Sequence, residues 1–426
     1  MRIRNLIALV FGFRSLVLAS VLAIVAFFAL PHFVSRGPAP QPAPQRPLSP
    51  PAAAAARYCA QVKNTIARDL CATANAEFYN GNYATSLVTI TKATNASPDE
   101  GIPRAMAARI MFLMGKSGPA EHELRRARRD GAPDHLVLPI LFDVMEARHE
   151  AMMLLSEFPE PAANAKGPTE SDILRGRALA FQSLGRLAEA AAAMDRSLSS
   201  VRDADGLLLR AKIAAQQNDA ALARKLVDEA DRMSPNDNSV MLAKLAQLEE
   251  AGDGAGVLAL SDRMLKLYPL SIQARIFRIN VFLKQNQDDK AKVELDSILA
   301  RRSKFSEALF YRAVLLARSH DTRSAAQVIV ALPIEFVKAN PKYAIRMAQI
   351  LIDNNNIETA DRVLGAALSA APDMLEVRLQ LVNLRLANNS SQSALMLLTA
   401  VKDSPDPQVQ KLLAQARATV AKDRAF

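Results

Sequence analysis

Two cysteines, five histidines and a regularly spaced series of bases are the side chains here with the most chemistry to offer. A metal site asks for His, Cys or acidic ligands at turn or helical spacing. His32, His122, His135, His149 and His320 show none, and His149 beside Glu150 lacks a partner one helical turn away. There is no glycine-rich phosphate loop, no G-x-S-x-G elbow and no carboxylate pair in a recognisable context. The sequence therefore predicts no metal, no cofactor and no catalytic site. Cys59 and Cys71 are too few for a disulfide framework. If one helix ran through both, they would stand roughly 18 Å apart, far beyond disulfide reach. A bridge needs a turn between them, and in an oxidising compartment it would clip the preceding segment onto the fold. Two buried, unpaired thiols are the other reading.

The bases are more orderly. Arg177, Arg210, Lys244, Arg278 and Arg312 recur at intervals of 33 or 34 residues, and Asp195, Asp228, Asp262 and Asp296 recur in step with them. One slot per structural repeat makes a stripe, and a stripe of bases is a track for an acidic peptide or an anionic polysaccharide. Matched stripes of opposite sign are also what internal ion pairs produce, either within a repeat (Arg177 with Asp195) or between neighbours (Asp195 with Arg210). Such pairs contribute only about 0–1 kcal/mol each when exposed, so their expected role is to align repeats. A second cluster, Arg125, Arg126, Arg128 and Arg129 in ELRRARRD, offers a contact for anionic headgroups at ~1 kcal/mol per base. The bland alternative is a solvated face flanked by Glu121, Glu123 and Asp130.

The elements that must carry these residues follow from composition. Half of the 426 residues are hydrophobic, aromatics make up 5% and Trp is absent, which favours packed helices over sheets. The net charge of +10 is concentrated at one end: eight bases and no acid precede Asp69, leaving 45 basic against 43 acidic residues. A domain-wide basic footprint is missing, which excludes nucleic-acid binding as the expected function.

Ser15 to Leu30 is an uncharged apolar run, extended upstream through Phe11 with only Arg14 intervening. A span needs ~20 residues, and a snorkelling Arg14 allows a transmembrane helix over 11–34. A cleavable signal peptide is the rival, but Pro31 to Arg36 makes a poor cleavage site. Arg2, Arg4 and Arg14 place the short N-terminus, 1–10, in the cytoplasm and everything after the span outside it. The Pro/Ala-rich stretch 35–56 reads as a semi-rigid stalk reaching roughly 60 Å.

Beyond it a period emerges. GNYATSLVTITKATNASP, Gly81 to Pro98, has a helix stop, a turn aromatic, an apolar helical face and a terminal proline. The pattern recurs from Gly185, Asn218, Gly252 and Asn356. Its small second-helix residue gives the markers Ser86, Ala120, Ala190, Ala223, Val257, Ala291, Ala325, Ala360 and Ala394, with one missing near Leu154 in a degenerate unit containing Pro139. This resembles the tetratricopeptide repeat from about Leu70 onward, without the first-helix Trp of that family, replaced by Leu174, Leu207, Met241 or Leu309.

The resemblance implies an all-α solenoid of about ten helix-turn-helix units over 57–404 with a capping helix over 405–426, preceded by one transmembrane helix. It also implies a non-enzymatic scaffold whose first helices bind a partner protein, with the basic ladder as the candidate grip. Proteins that look like this, on one N-terminal span, serve polysaccharide secretion, cytochrome maturation, pilus assembly or translocon quality control. The expectation is a bacterial inner-membrane protein with its repeats in the periplasm, serving envelope assembly and foremost polysaccharide export. Direct binding of an anionic glycan and a co-chaperone role are the alternatives.

Overall fold

The computed structural model describes residues 57–79 and 81–423, so the expected N-terminus, transmembrane helix and stalk over 1–56 lie outside the described residues. Among the described residues no helix is long and apolar enough to cross a membrane, and all regular structure is helical.

Helices come in antiparallel pairs. Units 1 to 5 are Thr65–Tyr79 with Tyr83–Ala96, Gly101–Leu113 with Ser117–Arg129, Asp134–Ala147 with Ala151–Glu157, Pro168–Ser183 with Leu187–Ser200, and Ala204–Gln216 with Ala220–Met233. Units 6 to 10 are Asn238–Glu250 with Gly254–Leu267, Ile272–Lys284 with Asp288–Leu299, Ser306–Arg318 with Thr322–Val330, Ala344–Asp353 with Ile357–Ala370, and Leu375–Ala387 with Ser391–Thr399. Pro407–Asp423 follows as a final helix and buries Val409, Leu412, Leu413 and Ala416.

What fixes this register is the turn inside each unit. A left-handed residue ends every first helix: Gly81, Gly115, His149, Gly185, Asn218, Gly252, Asn286, His320, Asn355 and Asn389. The residue after it donates its N–H back to the carbonyl five positions earlier, as in Asp219 to Ala214 at 2.9 Å and Gln287 to Phe282 at 2.8 Å. This Schellman closure satisfies carbonyls that the helix end leaves open. Gly and Asn tolerate positive φ at little cost, which is why they recur here. Two of the five histidines, His149 and His320, are explained by this role. The turn at His149 also shows that the degenerate third unit is in register, although Pro139 sits inside its first helix and its second helix has only 7 residues.

Packing follows from the same register. Nine of the ten small or apolar second-helix markers, Leu154 included, are buried, with Ala223 half-buried. Each lies where its helix crosses the first helix of its unit, and stacking of units joins these crossings into one apolar seam. Unit 8 departs from the period: Pro333 stops its second helix, and Ile334–Ala339 with the 3-10 turn Pro341–Tyr343 fills the place of the missing turns. Phe310, Phe336 and Tyr343 stack there, with centroids 4.4 Å and 5.9 Å apart.

Gly101, at the start of the first helix of unit 2, packs directly on backbone. A side-chain carbon there would overlap the Ala127 carbonyl oxygen and lie 2.6 Å from Ala132 N. Gly101→Val is accordingly expected to destabilise the fold by about 3 kcal/mol, measured as a lowered urea midpoint.

Cys59 and Cys71 are joined by a disulfide, their Cα atoms 5.5 Å apart. The alternative of two unpaired thiols does not hold in this structure. The turn that a bridge requires is made by Gln61 N–H to Tyr58 O at 3.0 Å and Val62 N–H to Cys59 O at 3.1 Å. Both sulfurs rest on Met106 Sδ of unit 2, at 3.5 and 3.3 Å, and Tyr58 packs on the His135 ring of unit 3 with centroids 5.6 Å apart. Lys63 N and Asn64 N donate to the Glu100 carboxylate at 2.7 and 3.0 Å. Burial works against that charge, but the hydrogen bonds from Ser97, Asn64 and Lys63 hold Glu100 below the ordinary glutamate range.

Candidate functional site

The five ladder bases occupy one register position, eight residues before the left-handed turn that ends each first helix, and the structure decides what they face. Arg210 Nε meets Asp195 Oδ1 at 2.7 Å and Lys244 Nζ meets Asp228 Oδ1 at 2.6 Å. Arg278 pairs with Asp262 as well as with Glu294 at 2.6 Å. The three ladder pairs with Asp195, Asp228 and Asp262 each join a second helix to the first helix of the next unit, the between-neighbours scheme, while the Arg278–Glu294 contact lies within unit 7. Hydrogen bonding from Lys244 comes first among the causes that hold Asp228 below its ordinary range. The base left over at the front of the series, Arg177, donates instead to the carbonyls of Leu155 and Phe158 at 3.2 and 2.9 Å, closing the C-terminal end of the truncated helix of unit 3. At the other end Arg312 and Asp296 are both exposed and form no ion pair with each other.

The arginine cluster is similarly engaged. Arg125 bonds Glu121 Oε1 at 2.8 Å and Glu157 Oε2 at 2.9 Å, and the Glu157 hydrogen bond keeps its guanidinium firmly charged. Arg128 meets Asp134 at 2.7 Å and Arg126 meets Asp130 at 3.6 Å, which leaves Arg129 as the exposed member without an ion pair.

The sequence reading passed over a second series of arginines. The position eleven residues before each turn, where Leu174, Leu207, Met241 and Leu309 stand in other units, holds Arg104, Arg275 and Arg378 in units 2, 7 and 10. Each donates to the carbonyl of a proline six residues earlier: Arg104 to Pro98 at 2.9 Å, Arg275 to Pro269 at 3.3 Å and Arg378 to Pro372 at 2.7 Å. The P-x5-R spacing was available in the sequence as the signal. Arg104 also bonds Asp130 and Glu123, while Arg275 bonds Glu294.

With both series committed to structure, the free polar surface lies elsewhere on the first helices. The positions six and three residues before each turn carry Arg109 in unit 2, Asp143 and Glu146 in unit 3, Gln182 in unit 4, Lys212 in unit 5, Glu249 in unit 6 and Asn280 in unit 7. Neighbouring units are laced across this row, Asn280 Nδ2 to Glu249 Oε1 at 2.9 Å and Gln182 Nε2 to Gln216 Oε1 at 2.5 Å. Units that are not neighbours also sense each other: the charges of Arg109 and Asp205, three units apart, act on one another, as do those of Asp143 and Lys212. That proximity identifies the first-helix face as the inside of the curve.

This groove has an excess of carboxylates. Asp143 is open to water along the groove yet walled by protein elsewhere, and burial, followed by the charge of Glu146, raises its carboxyl to about 6 against the pull of Arg109 and Lys212. Asp205 is raised by burial and then by Asp237 and Asp203. Asp172 is raised by burial and has one oxygen without a hydrogen bond. A raised carboxyl keeps its proton in the folded state after the unfolded chain, near 3.8, has released it, so stability falls as pH climbs from about 4 to 6 and stays lower above. Asp143→Asn should flatten that limb. At neutral pH it should add up to about 1 kcal/mol after solvent screening, read from urea midpoints across pH.

No curated protein matches the chain. Family models described as tetratricopeptide repeat match residues 170–238 and 351–416. Among solved structures, yeast Tom70 is 15% identical with a TM-score of 0.45, over 88% of this chain and 93% of that one. The TPR domain of P58(IPK) is 16% identical with a TM-score of 0.31, over 84% and 99%. A thermophilic TPR protein of Thermus thermophilus is 14% identical with a TM-score of 0.35, over 41% and 94%. The matched segments span units 4 to 5 and units 9 to 10, and the same turn closes all ten units. The chain thus carries tetratricopeptide repeats, an architecture that suggests a protein–protein interaction scaffold.

Proposed function

We propose that this chain is a non-enzymatic scaffold, anchored by one N-terminal span with its N-terminus in the cytoplasm of a bacterium and its repeats in the periplasm, which holds a segment of a partner protein in the first-helix groove. The observation that carries the reading is the division of labour among its charges. The two regular series of bases are largely spent on ion pairs and carbonyls between and within units, whereas Asp143, Asp205 and Lys212 line the inner face and their neighbours Arg109 and Glu146 are engaged only by the Phe78 ring at 5.3 Å and by Ser183 at 3.4 Å. A polar groove with few internal partners is a surface prepared for an external one. Engagement of the ladder in ion pairs favours a protein partner over an anionic polysaccharide track. The apolar run Ser15 to Leu30 supports the anchor, and Arg2, Arg4 and Arg14 ahead of it, against Arg36 and Arg46 after it, support the orientation. Envelope assembly, with polysaccharide secretion first, is the process proposed.

Two experiments test this. A reporter active only outside the cytoplasm, fused after Phe426, should be active; inactivity rejects the orientation. Affinity capture from membranes with the wild-type chain should recover a partner that the double variant Asp143→Arg, Glu146→Arg loses while retaining its helical content. Equal recovery by both would remove the groove from the mechanism.

A further inference from the structure

In a solenoid each unit touches its neighbours and little else, so a contact between distant units has a separate role. One exists here. The left-handed turn of unit 1 at Gly81, with φ of 79°, seats on Leu270 in the loop joining units 6 and 7: a carbon added to Gly81 would lie 3.7 Å from Leu270 Cδ1. The approach is corroborated next to it, where Tyr79 at the end of the first helix of unit 1 acts on Tyr268; burial, then Asp237 and Tyr79, push that phenol up to about 12. Tyr268 is itself fixed by donating to Asn236 O at 2.7 Å. The inner face enclosed by these units is the groove of Arg109, Asp143, Asp205 and Lys212.

We propose that the Gly81 turn and Leu270 form a latch that closes one turn of the superhelix on itself, so that the groove admits a partner from the side only when the latch opens. The partner half of this statement rests on the function proposed above; the latch does not. The contact is thin. Leu270 remains 40% exposed, so little apolar area secures the closure and the open form lies within easy thermal reach.

Nitroxide labels on Asn82→Cys and Lys266→Cys, both exposed, report the closure in the full chain with the Cys59–Cys71 bond intact. The wild-type background and Leu270→Met should show one dominant short distance. Leu270→Asp, with unchanged thermal unfolding, should raise the long-distance fraction about tenfold. A wild-type distribution without the short distance, or a Leu270→Asp distribution superimposing on it, overturns the latch. A thiol at Lys212→Cys tests the gating: a polyethylene-glycol maleimide should react faster in Leu270→Asp while a small maleimide reacts equally in both. Equal rates for the bulky reagent would leave a contact that gates nothing.

Discussion

Arg104→Met is expected to lower the unfolding free energy by about 3–5 kcal/mol, the range for removing one partner of a buried charge pair. Arg104 is 5% exposed and ties three places together: Asp130 Oδ2 at 2.8 Å, Glu123 Oε2 at 3.0 Å and the carbonyl of Pro98 at 2.9 Å. The last belongs to the loop leaving unit 1, so the side chain is a bolt between units 1 and 2 as well as within unit 2. Methionine fills a similar volume but leaves two carboxylates facing each other and a carbonyl unsatisfied. Adding Glu123→Gln and Asp130→Asn should recover much of the loss, because the larger part of the cost is uncompensated charge. Urea denaturation followed by helical signal checks both statements, and a loss below 1 kcal/mol for the single variant would show that Arg104 is dispensable.

The second large effect belongs to Glu294. At 7% exposure it accepts from Arg275 Nη1 and Arg278 Nε, both at 2.6 Å. Arg275 stands where other units place an apolar residue, and Arg278 is a ladder base that also reaches back to Asp262 of unit 6. Glu294→Leu therefore takes the shared carboxylate from two guanidiniums at one seam, leaving Arg278 only Asp262 and Arg275 only the Pro269 carbonyl, and a loss of about 3 kcal/mol is expected. Because solenoid stability is carried by unit interfaces, hydrogen exchange in this variant should rise first in units 6 to 8. A uniform rise across all ten units would contradict that local assignment.

The period of the fold was legible because two requirements recur at every unit: a small residue where helices cross, and a left-handed turn where the first helix ends. Ser86, Ala120 and Ala360 announce the former, and Gly81, Asn218 and Asn355 the latter. The third unit was hard to read because its marker is Leu154 and its turn residue is His149; neither is of the usual type, and only the backbone conformation reveals the role. The two charge ladders were visible, but the choice between pairing within a unit and between units depends on how far one unit is rotated on the next. Residue spacing does not contain that angle. Arg104, Arg275 and Arg378 were missed because an arginine at an apolar position reads as solvated until its proline carbonyl is found. The disulfide likewise turned on the turn at Tyr58 to Val62. As for the groove, the residues six and three places before each turn are ordinary polar residues in each unit taken alone, and they form a surface only once curvature brings Arg109 toward Asp205.

The most direct test of the scaffold reading places a photo-crosslinking residue at Lys212 in the groove, and separately at Val293, which is 69% exposed on a second helix, in the intact chain in its native cells. Irradiation should give a discrete protein adduct from position 212 and none from position 293. An adduct from 293 with none from 212 would place the partner on the other face and contradict the account.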